Sequence, residues 1–315
     1  MSSILAFTTP FDAPRWKRLL VYSPLARIVI FAVMAAILAG VASILLPGPD
    51  AMPGNEIGSA VADVIASTAP WLIAYLMLVF IVERRRPTEL AWRKLLPHAL
   101  AGLALGLALF SSVIGVLGLA GSYHVTGTNA DMAWPVAILT LGVAPAIGEE
   151  IICRGVLFRI VEEGLGTWLA LLISALFFGL AHLGNPNATL WSALAIAIEA
   201  GLLFGLIYQV TRSLYLCMGL HAAWNIAEGP IFGVPVSGMP SHGWLESMLS
   251  GPAWLSGGDF GPEASPVALA ACLLAALPFL LAMLRRRQVV APFWRRRMGT
   301  VNAATAGSMS AERMP

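Results

Sequence analysis

Charge is scarce in this chain of 315 residues: Asp, Glu, Lys and Arg together make up 11% of it, against about 25% in a typical soluble domain. With 58% hydrophobic residues, the composition excludes an ordinary soluble fold. Cysteine is nearly absent as well. Cys153, Cys217 and Cys272 each sit in an apolar run and none forms a CxxC pair, so no disulfide framework or cysteine-based zinc site is expected, and all three read as small buried hydrophobes. The chain lacks an internal repeat, a P-loop, a GxGxxG turn opening a helix and an HExxH helix motif. The polar–apolar alternation of an outer-membrane barrel is missing too. The net charge of +2 says little, and no nucleic-acid partner is expected.

What recurs instead is long apolar runs of the roughly 20 residues that cross a bilayer as helix. Eight are read, over 25–46, 60–82, 96–120, 134–161, 167–185, 189–210, 213–227 and 266–284. The expected fold is therefore an all-α polytopic membrane protein. Its orientation follows from Lys and Arg. All 19 lie before or at the start of the first run, between the second and third, near the end of the fourth, between the sixth and seventh, or after the eighth. The intervening segments 47–59, 121–133, 186–188 and 228–265 hold none. This alternation predicts that both termini are cytoplasmic and supports the count of eight.

Three parts are expected along the chain. Residues 1–24 mix aromatic and basic side chains and read as an interfacial cytoplasmic segment; no cleavage site follows a short apolar stretch, so the first span is retained. Residues 25–285 form one transmembrane helical domain, and 286–315 a basic, disordered cytoplasmic tail. The segment 229–265, rich in Gly, Pro, Ser and Trp, is either disordered or a cap on the outer face.

Ionisable groups inside these runs are functional candidates, because each costs on the order of 3 kcal/mol at mid-membrane on insertion scales. In GEEIICRGVLF, over 148–158, Glu150 and Arg154 are four residues apart and share a helix face. Glu149 is turned by about 100° and is left free. Two adjacent carboxylates thus acquire two environments, the arrangement by which carboxyl pairs divide catalytic roles; a solvated helix end is the bland alternative. Phe178 and His182 share a face of the fifth run, and His221 and Asn225 a face of the seventh. A lone histidine in such a run is commonly a packed, hydrogen-bonded residue, and a His–Asn pair can merely join helices. Glu199, midway along the sixth run, is a supporting candidate only. Counting 1.5 Å of rise per residue from the cytoplasmic ends puts Glu149 roughly 20 Å in, His182 roughly 22 Å, His221 about 12–14 Å and Asn225 about 18–20 Å. One shared cavity, opening toward the cytoplasm, can hold them all.

Together these three motifs, Glu149-Glu150-xxx-Arg154, Phe178-xxx-His182 and His221-xxx-Asn225, resemble the signature of the CPBP family. These are the CAAX-protease and bacteriocin-processing (Abi) intramembrane proteases, related to the prenyl-protein endopeptidase Rce1. The family core would span 134–229. The resemblance implies peptide-bond hydrolysis in the membrane, acting on a membrane-associated protein or peptide, CAAX-type or bacteriocin-like. By the same resemblance Glu149 and His182 activate the attacking water, His221 and Asn225 stabilise the oxyanion, and Glu150, Arg154 and Phe178 support them. Members are often called metalloproteases, and Glu149, His182 and His221 would supply a His₂Glu zinc set; a metal-free mechanism with the same residues is favoured slightly. The expected location is the bacterial inner membrane, with lipid and water as partners. The competing readings are a proton- or cation-coupled transporter using Glu149, His182 and Glu199, and a catalytically inactive scaffold or immunity protein.

Overall fold

The structure, a computed structural model, describes residues 5–10, 12–46 and 54–296. The expected tail over 297–315 lies outside the described residues. Seven helices among those described are long and apolar enough to cross a membrane: α1 (Pro24–Leu45), α2 (Glu56–Val82), α3 (Trp92–Leu119), α4 (Trp134–Leu165), α5 (Thr167–Gly184), α6 (Leu190–Thr211) and α8 (Pro266–Arg285). The seventh expected span is present as α7, Leu214–Ile226 prolonged by a π-helical turn Ala227–Ile231. It falls short of the apolar criterion because it carries His221, Asn225, Glu228 and Pro230. The deficit has a simple cause: α7 is the central helix, buried over nearly its whole length, so its polar groups meet protein rather than lipid.

Helix starts follow local chemistry. Ser23 and Ser265 cap α1 and α8 by accepting from the backbone N–H of Ala26 and Ala268, each followed by proline at the first helical position. Asn55 caps α2 through Gly58, and Thr189 with Ser192 forms a capping box on α6. α3 packs along α7 through Gly102 and Gly106. A Cβ at Gly106 would lie 2.4 Å from the Leu220 carbonyl oxygen, and one at Gly102 2.3 Å from that of Leu216. Only glycine permits this backbone approach, which holds the His221 segment against α3.

The segment over 229–265 is a cap. Its strand β2 (Leu245–Leu249) pairs antiparallel with β1 (Tyr123–Thr128), so the two Lys/Arg-free loops are stitched together. This small sheet departs from the purely helical expectation. The tail also differs from expectation where it is described. The Val290 amide donates to Thr167 Oγ1 at 2.8 Å, and Arg296 donates to the Glu163 carbonyl at 2.6 Å, so the chain past α8 is docked on the α4–α5 junction.

At the arginine-rich end several basic residues are consumed internally. Glu83 accepts from Arg27 at 2.7 Å, Arg159 at 2.8 Å and Arg85 at 2.7 Å. Arg27 also reaches Glu163. Arg85 continues to Glu89 at 2.7 Å, and the Tyr75 hydroxyl donates to the same carboxylate at 2.5 Å. This network ties α1, α2, α4 and the turn before α3 into one cluster. Burial alone would raise the Glu89 pKa, but hydrogen bonding and charge from Arg85, with Arg159 and the Tyr75 hydroxyl, outweigh it and hold the group at about 2.

The sign of the pH dependence follows. A carboxyl held below its unfolded value stabilises the fold fully above about pH 4.5, and that contribution fades as pH falls toward about 2. We expect Glu89→Gln in detergent to unfold at lower temperature than wild type at neutral pH, by up to about 3 kcal/mol. The gap should close between those two pH values, as followed by thermal unfolding across a pH series.

Candidate active site

Three helices converge below the cap. α4 is not uniform: the run Ala144–Glu150 lies between π-helical turns Ile138–Val143 and Ile151–Phe158. Widened turns of this kind re-aim side chains and collect at functional sites. Between them Glu149 and Glu150 stand on faces about 100° apart, as successive residues of an α-helix do. Glu150 is fully buried and accepts from Arg154 at 2.8 Å. Arg154, also fully buried, lies between the rings of Phe178 and Phe204, its guanidinium carbon 4.8 and 5.0 Å from their centres. Its second terminal nitrogen donates to the carbonyls of Ala200 at 2.9 Å and Gly201 at 3.2 Å, while Nε has no hydrogen-bond partner. Those carbonyls belong to a π-helical turn of α6, Ala197–Leu202.

Glu149 points into a cavity of about 150 Å³. Its Oε2 lies 4.0 Å from His182 Nε2 and 3.9 Å from His221 Nε2, and makes no direct hydrogen bond. The two rings are oriented from behind. His182 Nδ1 lies 2.7 Å from the Phe178 carbonyl oxygen, and His221 Nδ1 lies 3.1 Å from Glu150 Oε1. Both partners are acceptors, so each Nδ1 carries a proton and each ring turns its Nε2 toward Glu149. The remaining gap suits one water oxygen at ~2.8 Å from the carboxylate and from an imidazole. Asn225 donates to the Leu141 carbonyl at 3.0 Å; its second N–H and its Oδ1 are not used by that bond.

The structure therefore brings together Glu149, His182 and His221, with Glu150, Arg154 and Phe178 behind them and Asn225 on the same cavity wall. Phe204 was missed. It sits four residues after Ala200 in an apolar run and nothing local distinguishes it. Glu228 and Glu263 were missed too. Glu228 follows Asn225 by three and His221 by seven residues, a helical spacing that could have flagged it. Glu263 reaches the cavity from the cap, where no periodicity applies.

The geometry bears on two expectations. The cavity was expected to open toward the cytoplasm. Its lining runs from mid-bundle to Asn185, Ser237 and Met239 under the cap, and includes no residue of the arginine-rich end. The possible zinc set is not drawn in to ligand spacing. Two ligands of a tetrahedral zinc lie about 3.3 Å apart, whereas Glu149 stands 3.9 and 4.0 Å from the imidazoles. No group of three or more His, Cys, Asp or Glu among the described residues is placed to hold a metal ion.

Residues 131–227 match the family described as type II CAAX prenyl endopeptidase Rce1-like. The matched stretch covers α4 to most of α7, the helices that carry the site. The chain is also similar to the "Putative membrane peptidase YdiL" of Bacillus subtilis (strain 168), at 25% identity over 201 residues, or 60% of this chain and 78% of the relative.

The tautomers give a direct check. Nitrogen-15 histidine spectra of the protein in detergent should show His182 and His221 protonated at Nδ1 when neutral. Glu150→Ala should disturb only the His221 signals of that pair. Arg154→Lys keeps a charge but loses the planar fork, and should lower stability by about 3–5 kcal/mol if the buried pair is effectively broken, read by thermal unfolding.

Proposed function

We propose, from the match of residues 131–227 to the Rce1-like family and the similarity to a membrane peptidase, that this chain is an intramembrane endopeptidase that hydrolyses its peptide with a water held between Glu149 and two imidazoles. The observation that carries this reading is the unpartnered Glu149 Oε2 facing the Nε2 atoms of both histidines at 3.9–4.0 Å.

Glu149 takes a proton from the water as its oxygen attacks the scissile carbonyl. That proton then passes from the Glu149 carboxyl through His182 Nε2 to the leaving amine as the C–N bond breaks, which returns both groups to their starting states. His221, when protonated, donates from Nε2 to the oxyanion, and the free N–H of Asn225 adds a second donor. Glu150 is poised to stabilise the imidazolium of His221 through Nδ1, while Arg154 holds the Glu150 carboxylate in place. Phe178 and Phe204 exclude water from that pair.

We place the protein in a bacterial plasma membrane, with exposed α1 side chains such as Leu25, Val29, Val33 and Ile37 facing lipid. By the bias in Lys and Arg the arginine-rich end is cytoplasmic. The chamber then lies nearer the opposite face, and the membrane-associated peptide enters beneath or beside the cap.

Glu149→Gln and His182→Ala should each lower the cleavage rate by about 10²–10⁴-fold, and Asn225→Ala by about 10²–10³-fold. All should accumulate as folded protein. The assay is proteomics of membranes from cells expressing wild type or variant, followed by cleavage of the accumulating peptide in proteoliposomes. Unchanged cleavage in both Glu149→Gln and His182→Ala would refute the assignment.

A further inference from the structure

The cavity has a second polar wall that the proposed hydrolysis does not use. Glu199, on the π-helical turn of α6, lines it; the residue is 1% exposed and its Oε2 has no hydrogen-bond partner. Glu263, from the cap, lines it as well. One of its oxygens accepts from Trp224 Nε1 at 3.0 Å, the other from Ser237 Oγ at 2.5 Å. Behind them Glu228 is fully buried beside Glu263 and Trp224, and neither of its carboxyl oxygens meets the geometry of a full hydrogen bond. None of the three forms an ion pair, and no Lys or Arg lines the cavity. Elsewhere in the described chain the buried acids have found cations: Glu83, Glu89, Glu150, Glu162 and Glu163 all pair with arginine.

Three carboxyls kept without a cation in a low-dielectric wall are costly. Buried unpaired polar groups that face a cavity are groups waiting for a partner. They do not close around a metal ion, since no such cluster occurs among the described residues. A guanidinium or ammonium needs no closed cage. Its donors fan out to separate acceptors, and its alkyl stem suits the apolar walls given by Ile196 and Val236.

We propose that Glu199, Glu263 and Glu228 form an acidic specificity subsite that receives a cationic group of the peptide, a Lys or Arg side chain or a free α-ammonium, near the scissile bond. The subsite rests on the endopeptidase reading for its biological meaning, but its cation affinity stands on the cavity alone. Glu199 and Glu263 face the cation directly. Glu228 lies behind them and acts through them.

Two measurements on the full-length protein test it. In the first, agmatine and n-butylamine are titrated against the inactive Glu149→Gln variant in detergent and thermal unfolding is followed, with n-butanol as the neutral control. The amines should raise the melting temperature and butanol should not. The rise should vanish in the Glu149→Gln/Glu199→Gln/Glu228→Gln triple variant. In the second, wild type and Glu199→Gln/Glu228→Gln are given a proteome-derived peptide library in proteoliposomes. Wild type should prefer Lys or Arg at one fixed position by at least about tenfold, and the double variant should lose that preference while still cleaving neutral sequences. An N-acetylated copy of the library separates the sources, because acetylation abolishes a preference for an α-ammonium and spares one for a side chain.

Amine stabilisation without any cleavage would uphold the subsite and count against the endopeptidase. Cleavage with no cationic preference, together with no amine effect, would overturn the subsite and leave the endopeptidase standing. Glutamine variants that are more stable than wild type and unchanged in both assays would show the trio to be shared-proton packing, which also overturns it.

Discussion

The buried guanidinium of Arg154 is the constraint on which the site depends. It has no route to water, so its charge and its donors must be answered from within the bundle. Glu150 answers the charge, the carbonyls of the α6 π-helical turn take the second terminal nitrogen, and two phenyl rings lie against the guanidinium. Each answer comes from a different place: the same helix, the sixth helix, and the fifth and sixth helices together. One side chain thereby fixes the mutual position of α4, α5 and α6. Because Glu150 also accepts from His221, the constraint passes on to α7 and sets which nitrogen of that ring meets Glu149.

Buried charge is handled in two ways in this molecule. At the arginine-rich end, glutamates are surrounded by arginines in a shared network that joins α1, α2 and α4. Such a network holds helices in register at the cost of desolvating every member. Toward the capped end the cations stop. Glu149 is left with two imidazoles, and Glu199, Glu228 and Glu263 with neutral donors or none. The first arrangement builds a rigid base. The second leaves unpartnered carboxyl oxygens where a peptide backbone and a cationic group could be met.

Packing by small residues makes this possible. Gly102 and Gly106 let α3 lie against the backbone of α7, so α7 sits at the centre although it is too polar for a lipid-facing position. The cap completes the enclosure. Its strand pairs with the loop after α3, and its Glu263 takes the Trp224 N–H, which ties the lid to the helix bearing His221 and Asn225.

Much of this was legible in the chain itself. Apolar runs mark the helices because lipid demands them, and the i, i+4 spacings of Glu150 with Arg154, and of His221 with Asn225, are properties of one helix each. Hence the eight helices, the Glu150–Arg154 pair and the freedom of Glu149 could be read from local periodicity. The π-helical turns, the phenyl sandwich through Phe204, the small sheet, the docked start of the tail and the acidic wall could not. Each of them depends on groups far apart in sequence. The direction of the cavity was likewise beyond periodicity, because depth along single helices cannot tell which end of a bundle is closed. Sequence by itself determined which polar groups must be buried, since hydrophobic runs leave them nowhere else to go; only the tertiary structure decided what each one faces, because partners for a buried charge are chosen by packing between helices.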